Sequence, residues 1–147
     1  MTVPPATVYV ADRLGVTIAG ARVVRDVSFE LAAGRCIALV GASGSGKSQT
    51  CLAPFGLSAG AAQGSARLIG QELVGLREPA LRRLRGRDAG FVFQQPLTAL
   101  APHLTIGRTL AEAWRQAGAA RPTRSELAGM LDRVGLDRAD ERLDTYP

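Results

Sequence analysis

The sequence predicts an α/β fold built on a phosphate-binding loop, with an antiparallel β part before the loop and a helical block after it. Three observations predict this. The first is the octet Gly41-Ala42-Ser43-Gly44-Ser45-Gly46-Lys47-Ser48, placed directly after the apolar run Cys36-Ile37-Ala38-Leu39-Val40. The octet has the G-x-x-x-x-G-K-[ST] pattern of a phosphate loop. The run before it has the length and composition of a parallel strand buried on both faces. The second observation is the alternation in Val27-Ser28-Phe29-Glu30-Leu31, the period of a half-exposed strand. The third is helical spacing of apolar residues from Ile106 onward.

Taken in order, Thr7-Val8-Tyr9-Val10 and Leu14-Gly15-Val16-Thr17-Ile18 read as two strand pieces broken at Asp12-Arg13. Val27 to Leu31 is the next strand, and Ala33-Gly34-Arg35 turns the chain into the run Cys36–Val40. A helix is expected to begin at the end of the octet and to continue over Gln49 to Phe55, where Pro54 disturbs it. Proline there removes a backbone donor and costs ~3 kcal/mol or more unless the helix ends early. Ser58 to Gly64 reads as a small-residue loop. Ala66 to Ile69 and Glu72 to Val74 form a short hairpin around Gly70. Glu78 to Arg85 is a brief amphipathic helix, with Leu81 and Leu84 on one side and arginines on the other. Ala89-Gly90-Phe91-Val92-Phe93 is a second candidate buried strand, leading into Gln94-Gln95-Pro96. In the helical block, Ile106, Leu110, Ala113 and Trp114 share a face. Thr123-Arg124-Ser125-Glu126 is a capping box, followed by Leu127, Met130, Leu131 and Val134, with Gly135 as the stop.

Bulk properties narrow the function classes. At 147 residues, 46% hydrophobic and 21% charged, the chain has the composition of one globular domain or part of one. It has neither a long apolar span nor a signal-peptide pattern at Met1 to Pro5. The net charge of +5 raises the question of nucleic acid, with Arg82, Arg83, Arg85 and Arg87 the densest cluster. With only 5% aromatic residues the stacking partners of a single-strand binder are missing, and nucleic acid is not expected as a partner. Cys36 and Cys51 are expected to be small buried hydrophobes, and the single His103 has no metal-binding neighbours.

The chemistry concentrates at the octet. Lys47 is the one lysine among 18 basic side chains. Retaining a compact ammonium there, in a chain otherwise using planar guanidinium forks, fits a point-charge contact with phosphate. The glycines let successive N–H groups face one concavity, an anion nest. Lys47 would reach the β- and γ-phosphates, and the Ser48 hydroxyl would ligand Mg²⁺. The candidate nucleotide-binding residues are Gly41, Ala42, Ser43, Gly44, Ser45, Gly46, Lys47, Ser48 and Gln49.

The second diagnostic stretch is Phe93-Gln94-Gln95-Pro96-Leu97-Thr98-Ala99-Leu100-Ala101-Pro102. With the octet before it and helices after it, the chain resembles the ATP-binding subunit of ABC transporters. The stretch is similar to the Q-loop F-Q-[DE]-P-M-T-S-L-N-P of the dipeptide, oligopeptide and nickel importer branch. Leu84-Arg85-Gly86-Arg87 and Ser48-Gln49-Thr50-Cys51-Leu52 match that branch as well, and the resemblance covers Tyr9 to Pro147.

The resemblance implies a RecA-like core divided as an antiparallel β part over 1–35, a core from Walker A to Q-loop over 36–96, and the start of a helical subdomain over 97–147. It implies ATP and Mg²⁺ as cofactors. Gln94 would be the Q-loop glutamine touching metal or attacking water, and so a metal-site residue together with Ser48. No other residue receives a catalytic role. The implied partners are transmembrane permease subunits, a second ATP-binding subunit and, indirectly, an extracytoplasmic solute-binding protein. The implied location is the cytoplasmic face of the membrane, where ATP hydrolysis would power import of peptides, nickel or a similar small solute.

Departures from the family pattern are Ile18 in place of an adenine-stacking aromatic, Gln95 in place of an acid, and Pro54 in the loop helix. The L-S-G-G-Q signature, the Walker B carboxylates and the switch histidine do not occur within the 147 residues. The expectation is therefore the N-terminal half of such an ATPase, without turnover of its own. The alternatives are a non-hydrolysing nucleotide-binding fragment and an unrelated P-loop kinase or GTPase; the Q-loop argues against the latter.

Overall fold

The computed structural model describes residues 6–94 and 100–147. They form two compact units, one up to Arg82 and one from Arg83.

The first unit is organised by a four-stranded antiparallel sheet in the order β2-β1-β3-β4. β1 spans Thr7–Ile18 and β2 spans Ala21–Ala32. They are joined through Ala19 and Gly20, both at positive φ, the tight hairpin turn whose hand matches strand twist. The expected break at Asp12-Arg13 is instead a bulge within one continuous strand. Ala11 faces Phe29 and Leu14 faces Val27, so three steps on β1 answer two on β2. Arg13 adopts φ 47, and its N–H is redirected to Ser28 Oγ at 2.8 Å.

β3 (Ala61–Leu68) lies on the other side of β1, with Tyr9 facing Leu68 and Thr17 facing Ala61. Its first half was expected to be loop. Small residues mark these positions because Gly64, at φ 85, must fit against the bulge: a Cβ there would collide with the Arg13 carbonyl. β4 is only Gln71–Glu72, reached through Ile69 and Gly70. The Glu72 carboxylate holds this end together. Its Oε2 accepts from Ser65 Oγ at 2.5 Å, and its Oε1 accepts from the N–H groups of Ala66, Leu73 and Val74 at 2.9, 3.2 and 3.0 Å.

The alternation Val27, Phe29, Leu31 is observed as half-buried positions separated by exposed Ser28 and Glu30. Val16 and Val24 bury against Ala53, with Ile18, Val27 and Ala62 around them. The Tyr9 ring packs 5.6 Å from that of Phe29 and 6.1 Å from that of Phe55. Burial pushes the Tyr9 phenol up to about 12.

Two expected strands are not found. Cys36–Val40 and Ala89–Phe93 carry no ladder, and Val40 and Val92 are 92% and 100% exposed. A continuous apolar run records a tendency to be buried from both sides. No strand among the described residues lies beside either run to satisfy it. Cys36 and Cys51 are exposed as well, against the expectation of burial.

α1 is Lys47–Leu52, and Pro54 does not break it because the α-helix ends first. Ala53–Phe55 is a 3₁₀ turn, Pro54 is fully buried, and Gly56 closes the turn at φ 67. Proline at the start of a new helical turn has no donor to lose. α2 spans Glu78–Arg87, with Leu81 and Leu84 buried as its pattern requires.

The second unit packs α3 (Ile106–Gln116), α4 (Arg124–Arg133) and α5 (Ala139–Arg142). Leu127, Leu131, Ala139 and Leu143 are its buried centre, with Ile106, Leu110 and Met130 against them. The capping box forms as expected: Thr123 Oγ1 accepts from the Glu126 N–H at 3.3 Å, and Glu126 Oε2 accepts from the Thr123 N–H at 2.7 Å. The stripes run narrower than expected, since Ala113 is exposed and Val134, which ends α4, is 71% exposed. Arg124 ties α4 to α5 by donating to the carboxylates of Asp140 and Asp144 at 2.7 and 2.8 Å.

Candidate phosphate-binding site

The loop 41–48 takes its shape from three local ties and one long-range contact. Lys47 Nζ donates to the carbonyls of Gly41 and Ala42 at 2.8 and 2.7 Å and approaches Ser45 Oγ at 3.3 Å. The Ser45 N–H returns to the Ala42 carbonyl at 3.3 Å, which closes the turn. Thr50, buried, sends both its N–H and its hydroxyl to the Gly46 carbonyl, at 2.8 and 3.0 Å. The long-range contact is with β2. A Cβ at Gly46 would stand 2.8 Å from the Val23 carbonyl oxygen and 3.0 Å from Val24 Cγ2.

Gly44 and Gly46 have φ of 79 and 89, a region that L side chains rarely adopt. Gly46 is also the N-cap of α1, with no side-chain cap. The first N–H groups of a helix have no partner within it, so they remain available to a ligand. The loop therefore offers backbone donors, one ammonium and, at exposed Ser48, a hydroxyl with no protein partner among the described residues. Adjacent phosphates and a hard cation need donors, a mobile positive charge and a hydroxyl oxygen, and this set fits them.

The structure thus brings Gly41, Ala42, Ser45, Gly46 and Lys47 together and leaves Ala42, Ser43 and Ser48 exposed. Gln49 goes elsewhere. Its Oε1 is buried, without a partner among the described residues, 3.1 Å from the Cβ position of Gly60. Ile18 is half-buried and packs on the Val16, Val24 and Ala53 cluster. Gln94 is described and exposed, whereas Gln95 and the motif residues Pro96 to Ala99 lie outside the described residues. Sequence reasoning missed Val23, Val24 and Gly60 as supports of the loop and its helix. No local pattern marks them, because each acts through a contact distant in sequence.

The loop, with Lys47 turned onto the Gly41 and Ala42 carbonyls, has the form of a phosphate loop. Residues 24–147 match the family described as ABC transporter, and the chain belongs to that family. It is 40% identical over 129 residues to the oligopeptide transport ATP-binding protein OppD of Mycobacterium tuberculosis, covering 84% of this chain and 21% of that protein. It is 41% identical over 128 residues to OppD of Haemophilus influenzae, covering 84% and 40%. To the dipeptide transport ATP-binding protein DppD of Bacillus subtilis it is 39% identical over 130 residues, covering 84% and 39%. The chain thus spans two fifths or less of the length of these curated relatives. A bacterial Atm1-family ABC exporter shares the fold, with a TM-score of 0.66 at 23% identity, over 99% of this chain and 25% of that one. No helix of the described residues is long and apolar enough to cross a membrane.

Proposed function

We propose that residues 41–48 bind the phosphates of ATP, with Mg²⁺ held at Ser48, and that the chain acts within an ATP-binding subunit of a peptide importer. The observation that carries the reading is Lys47. Its ammonium is kept against the loop by two carbonyls, 2.8 and 2.7 Å away, at the rim where the helix's first donors emerge. An incoming β,γ-phosphate pair would replace those neutral carbonyl acceptors with anionic oxygens, so that both partners of each Lys47 bond carry charge. The peptide-import assignment is supported by the names of the relatives, and nickel or another small solute fits the same branch.

In this reading Gln94 approaches metal or water, and the partners are permease subunits, a second ATP-binding subunit and, through them, a solute-binding protein. They would hold the chain at the cytoplasmic face of a membrane. Hydrolysis needs carboxylates to complete the metal shell and polarise water. The sequence of residues 1–147 contains no apolar strand ending in an Asp-Glu pair, so these residues alone are expected to bind ATP without turnover.

Titration with fluorescent ATP in Mg²⁺ tests the site. Lys47→Ala is expected to abolish binding, and an affinity within twofold of wild type would refute the assignment. A purified monomer releasing phosphate in a Mg²⁺-dependent manner, and losing that in Lys47→Ala, would refute the absence of turnover.

A further inference from the structure

The second unit holds an open cavity of about 450 Å³. It is lined by Arg108, Ala111, Glu112 and Arg115 of α3 and by Arg121 and Pro122 of the segment leading into α4. Residues 108, 111, 112 and 115 recur at the spacing of one helix face. The volume is that of a small-molecule site.

The three arginines are not equivalent. Arg115 Nη2 donates to both oxygens of Glu112 at 2.7 Å, and Gln116 Nε2 donates to Glu112 Oε1 at 3.0 Å. No carboxylate among the described residues pairs with Arg108 or Arg121. The lining therefore carries an excess of positive charge, on planar forks that match the geometry of an oxyanion.

Arg108 is also poorly placed for helix stability. It is the third residue of α3, where the positive end of the helix dipole disfavours a cation. The corresponding position of α4 is Glu126, which closes the capping box with Thr123. Thr105 Oγ1 accepts from the Arg108 N–H at 3.3 Å, but a guanidinium has no acceptor with which to return the bond. Local stability thus favours an acid at 108, and the chain places an arginine on the cavity instead. The helix N–H groups beside it are already engaged: those of Ile106 and Gly107 donate to the carbonyls of Thr145 and Leu143, both at 2.9 Å.

We propose that this cavity binds a small organic anion with two oxyanion groups, carboxylate or phosphate, one held by Arg108 and the other by Arg121. Ala111 and Pro122 pack against the body of the ligand. The site lies wholly in the second unit and does not rest on the reading of 41–48.

Citrate and inorganic pyrophosphate are the probes, titrated by calorimetry into the 147-residue chain carrying Lys47→Ala, so that the phosphate loop does not compete. Saturable binding of at least one is expected, and the tighter probe identifies the acidic group. On that background Arg108→Gln and Arg121→Gln should each weaken binding about tenfold, the loss of one charged hydrogen-bonded contact. Arg133→Gln removes the same charge outside the cavity and should stay within about twofold, since solvent and salt screen it. Arg108→Glu separates binding from stability. It completes the capping box with Thr105, so the melting midpoint should rise by roughly 2 °C while binding is lost. No saturable binding of either probe, or equal losses from Arg133→Gln and Arg108→Gln, overturns the proposal. A lowered midpoint in Arg108→Glu also overturns it, by giving Arg108 a structural role. Should a variant not fold, the Nε–Hε resonances of Arg108 and Arg121 in the Lys47→Ala chain decide: they must shift on addition of the probe, and unmoved resonances refute the site.

Discussion

Gly46 and Gly44 share a left-handed backbone but differ in surroundings, and that difference can be measured. Gly44, at φ 79, has nothing within 4 Å of a Cβ, so Gly44→Ala carries backbone strain alone. For an L residue in this region the cost is ~1–2 kcal/mol. Gly46, at φ 89, adds a Cβ 2.8 Å from the Val23 carbonyl oxygen and 3.0 Å from Val24 Cγ2. The first of these is backbone in β2, paired with β1 next to Val24 opposite Val16, and it cannot rotate aside. Overpacking of this kind adds ~1–3 kcal/mol, so Gly46→Ala should cost about 2–5 kcal/mol.

In thermal unfolding followed by circular dichroism, each kcal/mol is worth about 2–4 °C for a chain of this size. Gly46→Ala should therefore lower the midpoint at least about 2 °C further than Gly44→Ala. If the clash is relieved by the loop moving off β2, Lys47 moves with it, and ATP affinity should fall by tenfold or more, ~1.4 kcal/mol. Equal midpoints for the two variants would show that Gly46 does not rest on β2, and the account of what holds the loop would fail.

Three further outcomes are expected. Lys47→Arg should lose ATP binding nearly as completely as Lys47→Ala, since a planar fork does not fit between the Gly41 and Ala42 carbonyls as an ammonium does; equilibrium titration checks it, and near-native affinity would refute the point-charge argument. Gln94→Ala should leave ATP affinity within about threefold, under ~1 kcal/mol, because phosphate contacts come from the loop; a loss matching that of Lys47→Ala would remove Gln94 from its proposed role. At Glu72, partial burial raises the carboxyl's pKa, but hydrogen bonds from Ser65 and from the N–H groups of Ala66, Val74 and Leu73 outweigh it and hold the pKa below the ordinary 4.5. The stability Glu72 contributes is thus present above about pH 4.5 and is lost as pH falls through its lower folded value. The gap in urea midpoint between wild type and Glu72→Gln should be full at pH 7 and shrink below pH 4.5, and a gap constant with pH would refute the role of the ionised carboxylate.

What the sequence disclosed was local in physical origin. The loop, the capping box at Thr123, the alternation of Val27, Phe29 and Leu31 and the stop at Gly135 each depend on neighbours a few residues apart, and each is observed. The bulge at Arg13 was legible only as a break, because seeing it as a bulge requires the register against Phe29, Val27 and Ser65. Small residues from Ala61 to Gly64 imitate a loop although they are strand, since their smallness answers the Arg13 carbonyl on the adjacent strand. The runs Cys36–Val40 and Ala89–Phe93 were read from hydrophobicity alone, which reports a demand for burial but not the strands that would meet it.

This contrast bears on how the phosphate loop keeps its form. In a buried parallel strand, ladder bonds on both sides would fix where the following loop begins. Here the residues before Gly41 carry no ladder, yet the loop is fully shaped. Its ties run forward and sideways instead: Lys47 back to Gly41 and Ala42, Thr50 back to Gly46, and Gly46 onto Val23 and Val24 of β2. None of these contacts involves residues 36–40 or 89–93. Among the described residues, the contacts that shape the loop thus come from the loop itself, α1 and β2. Charged substitution at Val40, which is 92% exposed, should accordingly leave ATP affinity unchanged while Gly46→Ala removes most of it. A comparable loss from Val40→Asp would mean that the preceding run, and not the hairpin, holds the site.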